Sequence, residues 1–162
     1  MAAGLVAAVW GLTGVAVAKS GDDAKIRALV DNFSAAIRAK DLDKIMAIYE
    51  PGADLVVFDV IPPRQYVGFE AYKKDWQEVL DMIPGPITFD IVDMSISAEG
   101  NLAYSRAIEH VAGKMKDGGN LDITVRVTDV YRKKNGKWLI VHEHVSVPVD
   151  LATGKADLQS KP

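Results

Sequence analysis

The stretch "WLIVHEHVSVP", Trp138 to Pro148, places two of the chain's three histidines two positions apart. Along a β-strand side chains alternate between faces, so His142 and His144 would share one face, roughly 6.5–7 Å apart. Trp138 and Ile140 precede them on that face and Ser146 follows. The segment therefore reads as a strand that leaves a packed core and carries two imidazoles and a hydroxyl into a pocket.

Three hairpin signals lead up to it. "ITFDIVDMSIS" runs to Glu99-Gly100-Asn101, "LAYSRAIEHVAGKM" to Asp117-Gly118-Gly119-Asn120, and "LDITVRVTDVYRK" to Lys134-Asn135-Gly136. Strands punctuated in this way predict an antiparallel meander of four. The pattern upstream is helical. Ile26, Leu29, Val30, Phe33 and Ile37 form one amphipathic stripe between Asp22 and Lys40. Asp41 can cap a shorter helix carrying Leu42, Ile45, Met46 and Tyr49, stopped by Pro51-Gly52. "DLVVFDV" reads as a strand closed by Pro62-Pro63. A third helix is predicted from Phe69 to Ile83, with Tyr72, Trp76, Val79, Leu80 and Ile83 on its buried side. The expected class is α+β, with three N-terminal helices packed on a mostly antiparallel sheet.

Of 162 residues, 49% are apolar and 25% charged, enough for one domain with a substantial core. A net charge of −3 gives no electrostatic case for nucleic acid, and no strongly basic amphipathic segment suggests a membrane surface. The absence of cysteine excludes disulfides, thiol catalysis and thiolate metal sites. Residues 1–18 stand apart. "LVAAVWGLTGVAVA" is uncharged, too short for a normal membrane span, and ends in the small-x-small pattern of signal-peptidase cleavage. No Lys or Arg precedes it. The reading is a signal peptide over 1–18, a domain over 19–150 and a loosely held polar tail over 151–162. The expected location is periplasmic or secreted, with the cytoplasm as the alternative.

The order of elements, together with "VVFDVIPP", Gly68 opening the third helix, "RVTDVYRK", "NGKW" and "HEHVSVP", resembles the SnoaL-like branch of the nuclear-transport-factor-2-like superfamily from about Asp22 to Pro148. The resemblance implies a cone: a strongly curved sheet wrapped around helices, with a deep pocket at the open end. Members include ketosteroid isomerases, polyketide cyclases and dehydratases, so the fold does not supply the activity.

Arg126, Thr128, both histidines and Ser146 match motif positions of that pattern. A three-residue bulged turn at Lys134-Asn135-Gly136 would set Thr128 opposite His142 and Arg126 opposite His144. A two-residue turn would instead bring Val127 opposite His144. On the first register Arg126 would hold the anionic end of a ligand, and Thr128, His142, His144 and Ser146 would hydrogen-bond it. Asp59, sheltered by Val57, Phe58 and Val60, is the candidate general base, with His142 and His144 as partners in proton transfer. Tyr49, Tyr66 and Trp76 are candidate aromatic walls, although for Tyr49 and Trp76, which sit on apolar helical stripes, core packing is the better reading. His110 could join the pocket mouth. The His-x-His pair could bind zinc or copper with His110 or Asp59, but Arg126 disfavours a cation, and neither a metal nor a cofactor is expected. The stripe Leu121, Ile123, Val125 and Val127 would then lie outside, which predicts a homodimer covering it.

The functional expectation is a domain that binds a small organic molecule bearing an anionic or carbonyl group. If it is an enzyme, the chemistry is cofactor-independent general acid–base isomerisation, cyclisation or dehydration. The alternative is a non-catalytic binding or assembly module.

Overall fold

The first apolar stripe forms α1, Gly21–Ala39, in a computed structural model that describes residues 21–160. Ile26, Val30, Phe33 and Ile37 are buried along it. Asp22 anchors its first turn. The carboxylate accepts hydrogen bonds from Lys25 at 2.9 Å, Lys133 at 3.0 Å and the Trp138 indole at 3.3 Å. Hydrogen bonding first to Lys25, then to Lys133 and Trp138, pulls its pKa down to about 2. The segment read as a signal peptide lies outside the described residues.

Asp41 caps α2, Leu42–Met46, by accepting from the Lys44 amide at 3.1 Å. The chain then lays down β1, Val56–Phe58, and β2, Tyr66–Val67, before α3, Phe69–Met82. So the third helix follows two short strands instead of extending a helical block. β3, Ile87–Glu99, β4, Leu102–Lys114, β5, Asn120–Lys134, and β6, Lys137–Ser146, complete the chain's sheet. The strand order is β2-β1-β6-β5-β4-β3, and every pairing is antiparallel except β1 with β6. This is an α+β fold built on a six-stranded, mostly antiparallel sheet. No helix among the described residues is long and apolar enough to cross a membrane.

The helices lie against one face of this sheet. Phe33 of α1 sits at the centre of an aromatic group, edge-on to Tyr49 at 6.0 Å, Trp76 at 5.7 Å and Phe89 at 5.9 Å. Fully burying a side chain such as Phe33 or Phe89 contributes about 1.5–3 kcal/mol, and with the partly buried Trp76 packed against them these contacts tie α1, α3 and β3 into one core.

Two local features decide which side chains face it. Lys134 pairs with Lys137, and Asn135 and Gly136 have φ of 49° and 79°, so the β5–β6 turn has two residues and both are left-handed. The expected three-residue turn is therefore corrected. Then the register shifts: Tyr131 pairs with Ile140, but Val130 pairs with His142, leaving Val141 as a bulge. The strand's alternation inverts there. Trp138 and Ile140 are buried, and beyond the bulge Glu143 takes the inward place that His142 would have held.

On β5, Leu121, Ile123, Val125 and Val127 face the helices and line a cavity. The expectation that this stripe lies outside is overturned, and with it the reason given for a homodimer. Of the expected tail, residues to 160 are described. Asp157 donates its amide to Pro148 O at 2.8 Å, and Thr124 donates to Leu158 O at 2.7 Å, so this segment extends along β5 past the end of β6.

Candidate functional site

Between the helices and the inner sheet face lies a cavity of about 200 Å³. Its walls are apolar: Val30 and Phe33 from α1, Trp76 and Val79 from α3, Phe89 from β3, and the β5 stripe. Set into them are five carboxyl groups, Asp59, Asp75, Glu109, Asp129 and Glu143, and among the described residues the lining includes no Lys, Arg or His.

Two of the acids form a cross-strand pair, since Asp129 faces Glu143. Tyr49 and Tyr72 donate their hydroxyls to Glu143 at 2.8 and 2.5 Å, and Ser105 and Tyr131 donate to one oxygen of Asp129 at 3.0 and 2.9 Å. Burial, then the charge of Asp129, pushes Glu143 well above the usual carboxylate range. Burial raises Asp129 to about 6, opposed by hydrogen bonds from Tyr131, Ser105 and Glu143. Two buried carboxyls set side by side cannot both ionise cheaply, so this pair holds a proton between them at neutral pH.

Glu109 stands on β4 between Ile108 and His110 and makes no hydrogen bond to another described residue. Desolvation, followed by the charge of Asp129, lifts it to about 8. Asp59 leaves β1 on the cavity side and accepts from the Val60 amide at 2.5 Å. Burial raises it to about 6, with Asp75 adding to the shift. Asp75, 5% exposed, accepts the Tyr66 hydroxyl at 2.6 Å, and burial raises it too.

The sequence-derived candidates divide sharply. Asp59 and Trp76 line the cavity, and Tyr66 reaches it through Asp75. Tyr49 is 1% exposed and belongs to the core beneath, where it serves Glu143. Arg126, Thr128, His142, His144 and Ser146 are on the opposite, outer face. There Thr128 pairs with His144 and Arg126 with Ser146, one pair further along than expected. Arg126, Thr128 and His144 are exposed, while His142 donates Nδ1 to Val56 O at 2.8 Å. Phe58 packs edge-on against both imidazoles, at 5.0 and 5.6 Å. His110 is also on the outer face and bonds Asp122 at 2.9 Å. The physical reason is the Val141 bulge on β6. On β5, parity alone put the four apolar residues inside. Among the described residues no group of three or more His, Asp or Glu is placed to hold a metal.

Glu109, Asp75, Asp129 and Glu143 were missed. A signal existed for two of them. Asp129 continues the period-two run Leu121, Ile123, Val125, Val127, and Asp75 lies three residues after Tyr72 and four before Val79 on the buried stripe of α3. Glu109 shares the β4 face of Ala103, Ala107 and Val111, whose small side chains make a much weaker pattern.

Comparison with known proteins agrees with this architecture. A family model of the SnoaL-like domain matches residues 26–150. An NTF2-like protein of unknown function from Pseudomonas putida KT2440 is 32% identical, over 87% of this chain and 96% of that one, with a TM-score of 0.78. An NTF2-like superfamily protein from Salmonella enterica serovar Typhimurium LT2 is 20% identical, over 85% and 99%, with a TM-score of 0.74. A ketosteroid isomerase-like protein from Erwinia carotovora atroseptica SCRI1043 is 17% identical, over 77% and 95%, with a TM-score of 0.65. The last two share the fold alone. No curated protein matches the chain. With the family model spanning most of its length, the chain belongs to the SnoaL-like family of the NTF2-like superfamily.

Proposed function

We propose that this domain binds a mostly apolar small molecule in the inner cavity and moves a proton on it, as an isomerase, cyclase or dehydratase acting beside a carbonyl or hydroxyl group. The observation that carries the reading is a pair of carboxyls in one apolar cavity, Asp59 and Glu109, displaced to about 6 and about 8. Titratable groups pushed apart by their surroundings divide into a base and an acid. Near pH 7 Asp59 is mostly ionised and takes the proton next to the carbonyl. Glu109 is mostly neutral and donates to the ligand oxygen, which bears the developing charge. An anionic ligand head held by Arg126 has no support, because that guanidinium is on the other face.

Native mass spectrometry against a panel of apolar ketones and aldehydes would find ligands, and deuterium exchange next to the carbonyl would report proton transfer. Asp59→Asn and Glu109→Gln are expected to lower exchange by about 100-fold or more, with ligand still bound. The exchange rate should fall below pH 6, where Asp59 gains a proton, and above pH 8, where Glu109 loses one. Binding without exchange in the wild type would select the non-catalytic binding module instead. We also propose export of the chain, with residues 1–18 removed; amino-terminal sequencing of the protein from a periplasmic fraction should begin near Lys19.

A further inference from the structure

Every ionisable side chain that lines the cavity is an acid, and the described lining offers no cation to any of them. Clustered carboxyls alone would not define a ligand, but Asp75 adds an independent constraint. It is 5% exposed, faces the cavity, and has one oxygen fixed by the Tyr66 hydroxyl at 2.6 Å. Its other oxygen has no partner among the described residues. A carboxylate removed from water needs a hydrogen-bond donor or a counter-charge. Here the protein supplies one donor to a side chain that lines the hollow and leaves its remaining acceptor open. Glu78 raises the electrostatic cost of charging Asp75 further, and Asp75 in turn raises that of Asp59. A ligand ammonium would meet both needs at once, donating to Asp75 and neutralising the Asp59–Asp75 end, while an anion would add a like charge in a medium of low dielectric.

We infer that the cavity selects a ligand carrying a basic nitrogen, whose ammonium pairs with Asp75 while its apolar body lies against Trp76 and the β5 stripe. The inference rests on reading the cavity as a ligand site. It leaves Glu109 as the proton donor elsewhere on the same molecule. Tyr66 acts as a positioning residue. It holds the Asp75 carboxylate in one orientation, so the nitrogen is placed and not merely attracted.

The test uses three probes of one shape: phenethylamine, phenethyl alcohol and 3-phenylpropionate, measured by calorimetry on the full chain at pH 7.5. The expected order is amine, alcohol, carboxylate, with the amine at least tenfold tighter than the alcohol. In Asp75→Asn the ratio of amine to alcohol affinity should drop to near one, and in Tyr66→Phe it should fall several-fold. Carboxylate binding as tightly as amine, or an amine advantage unchanged in Asp75→Asn, would overturn the inference and leave the ligand site standing. Failure of all three probes to bind would overturn the ligand-site reading and the inference with it.

Discussion

The two faces of the β5–β6 pair carry opposite chemistry. The outer face shows a guanidinium, two imidazoles and hydroxyls, the groups usually sought in an active site, and it is largely open to solvent. The inner face shows an apolar stripe broken by Asp129 and Glu143, and it closes over a cavity. The difference teaches that a side chain's chemistry matters less than whether it is desolvated. Arg126 in water is a solvated charge, whereas Glu143 beneath two tyrosines has its protonation state reset by burial. The most direct way to break the comparison is Glu143→Ala. It would strand the Tyr49 and Tyr72 hydroxyls in a dry interior at about 1–3 kcal/mol each, so a total loss of about 3 kcal/mol or more should appear in urea unfolding. A loss under 1 kcal/mol would mean that the inner polar group is not a built feature.

The helices and hairpins were legible because their signals are local. The stripe from Ile26 to Ile37 and the Asp41 cap specify their own geometry within a few residues, and Asn135-Gly136 marks the place of the last hairpin, although its turn has two residues and not the expected three. The faces of the last two strands were not legible in the same way. A bulge of one residue at Val141 inverts everything after it, and neither glycine nor proline marks the place. On β5 ordinary hydrophobic patterning did point to Leu121, Ile123, Val125 and Val127 as the inner face. The histidine pair and the motif match outweighed it. The buried acids were hidden for a different reason, since a carboxyl's burial is a property of what packs around it.

The inner face should also resist added volume. Gly113 lies on β4 opposite Leu121, and a Cβ there would stand 2.7 Å from Ile83 Cγ2, a side chain that is 1% exposed. Gly113→Ala is expected to cost about 1–3 kcal/mol by overpacking, read as a lower urea midpoint. A smaller effect follows from Glu109. Its pKa rises from 4.5 unfolded to about 8 folded, so between those values the native state holds a proton that the unfolded chain has lost. Stability therefore falls as pH rises through that window. Glu109→Gln should flatten this slope, raising the melting temperature by about 3 °C at pH 8 with little change near pH 4.5. On the outer face, Arg126→Ala and His144→Ala should each stay within about 0.5 kcal/mol of wild type and leave probe affinity unchanged. A larger effect there would show that the exposed imidazoles and guanidinium do more than face solvent.

Methyl and aromatic NOEs from bound phenethyl alcohol test the location of the site most directly. If the inner cavity is the site, contacts should fall on Trp76, Ile123 and Val125, with the His142 and His144 ring protons silent. Contacts confined to Phe58, His142 and His144 would contradict it and return the site to the outer face.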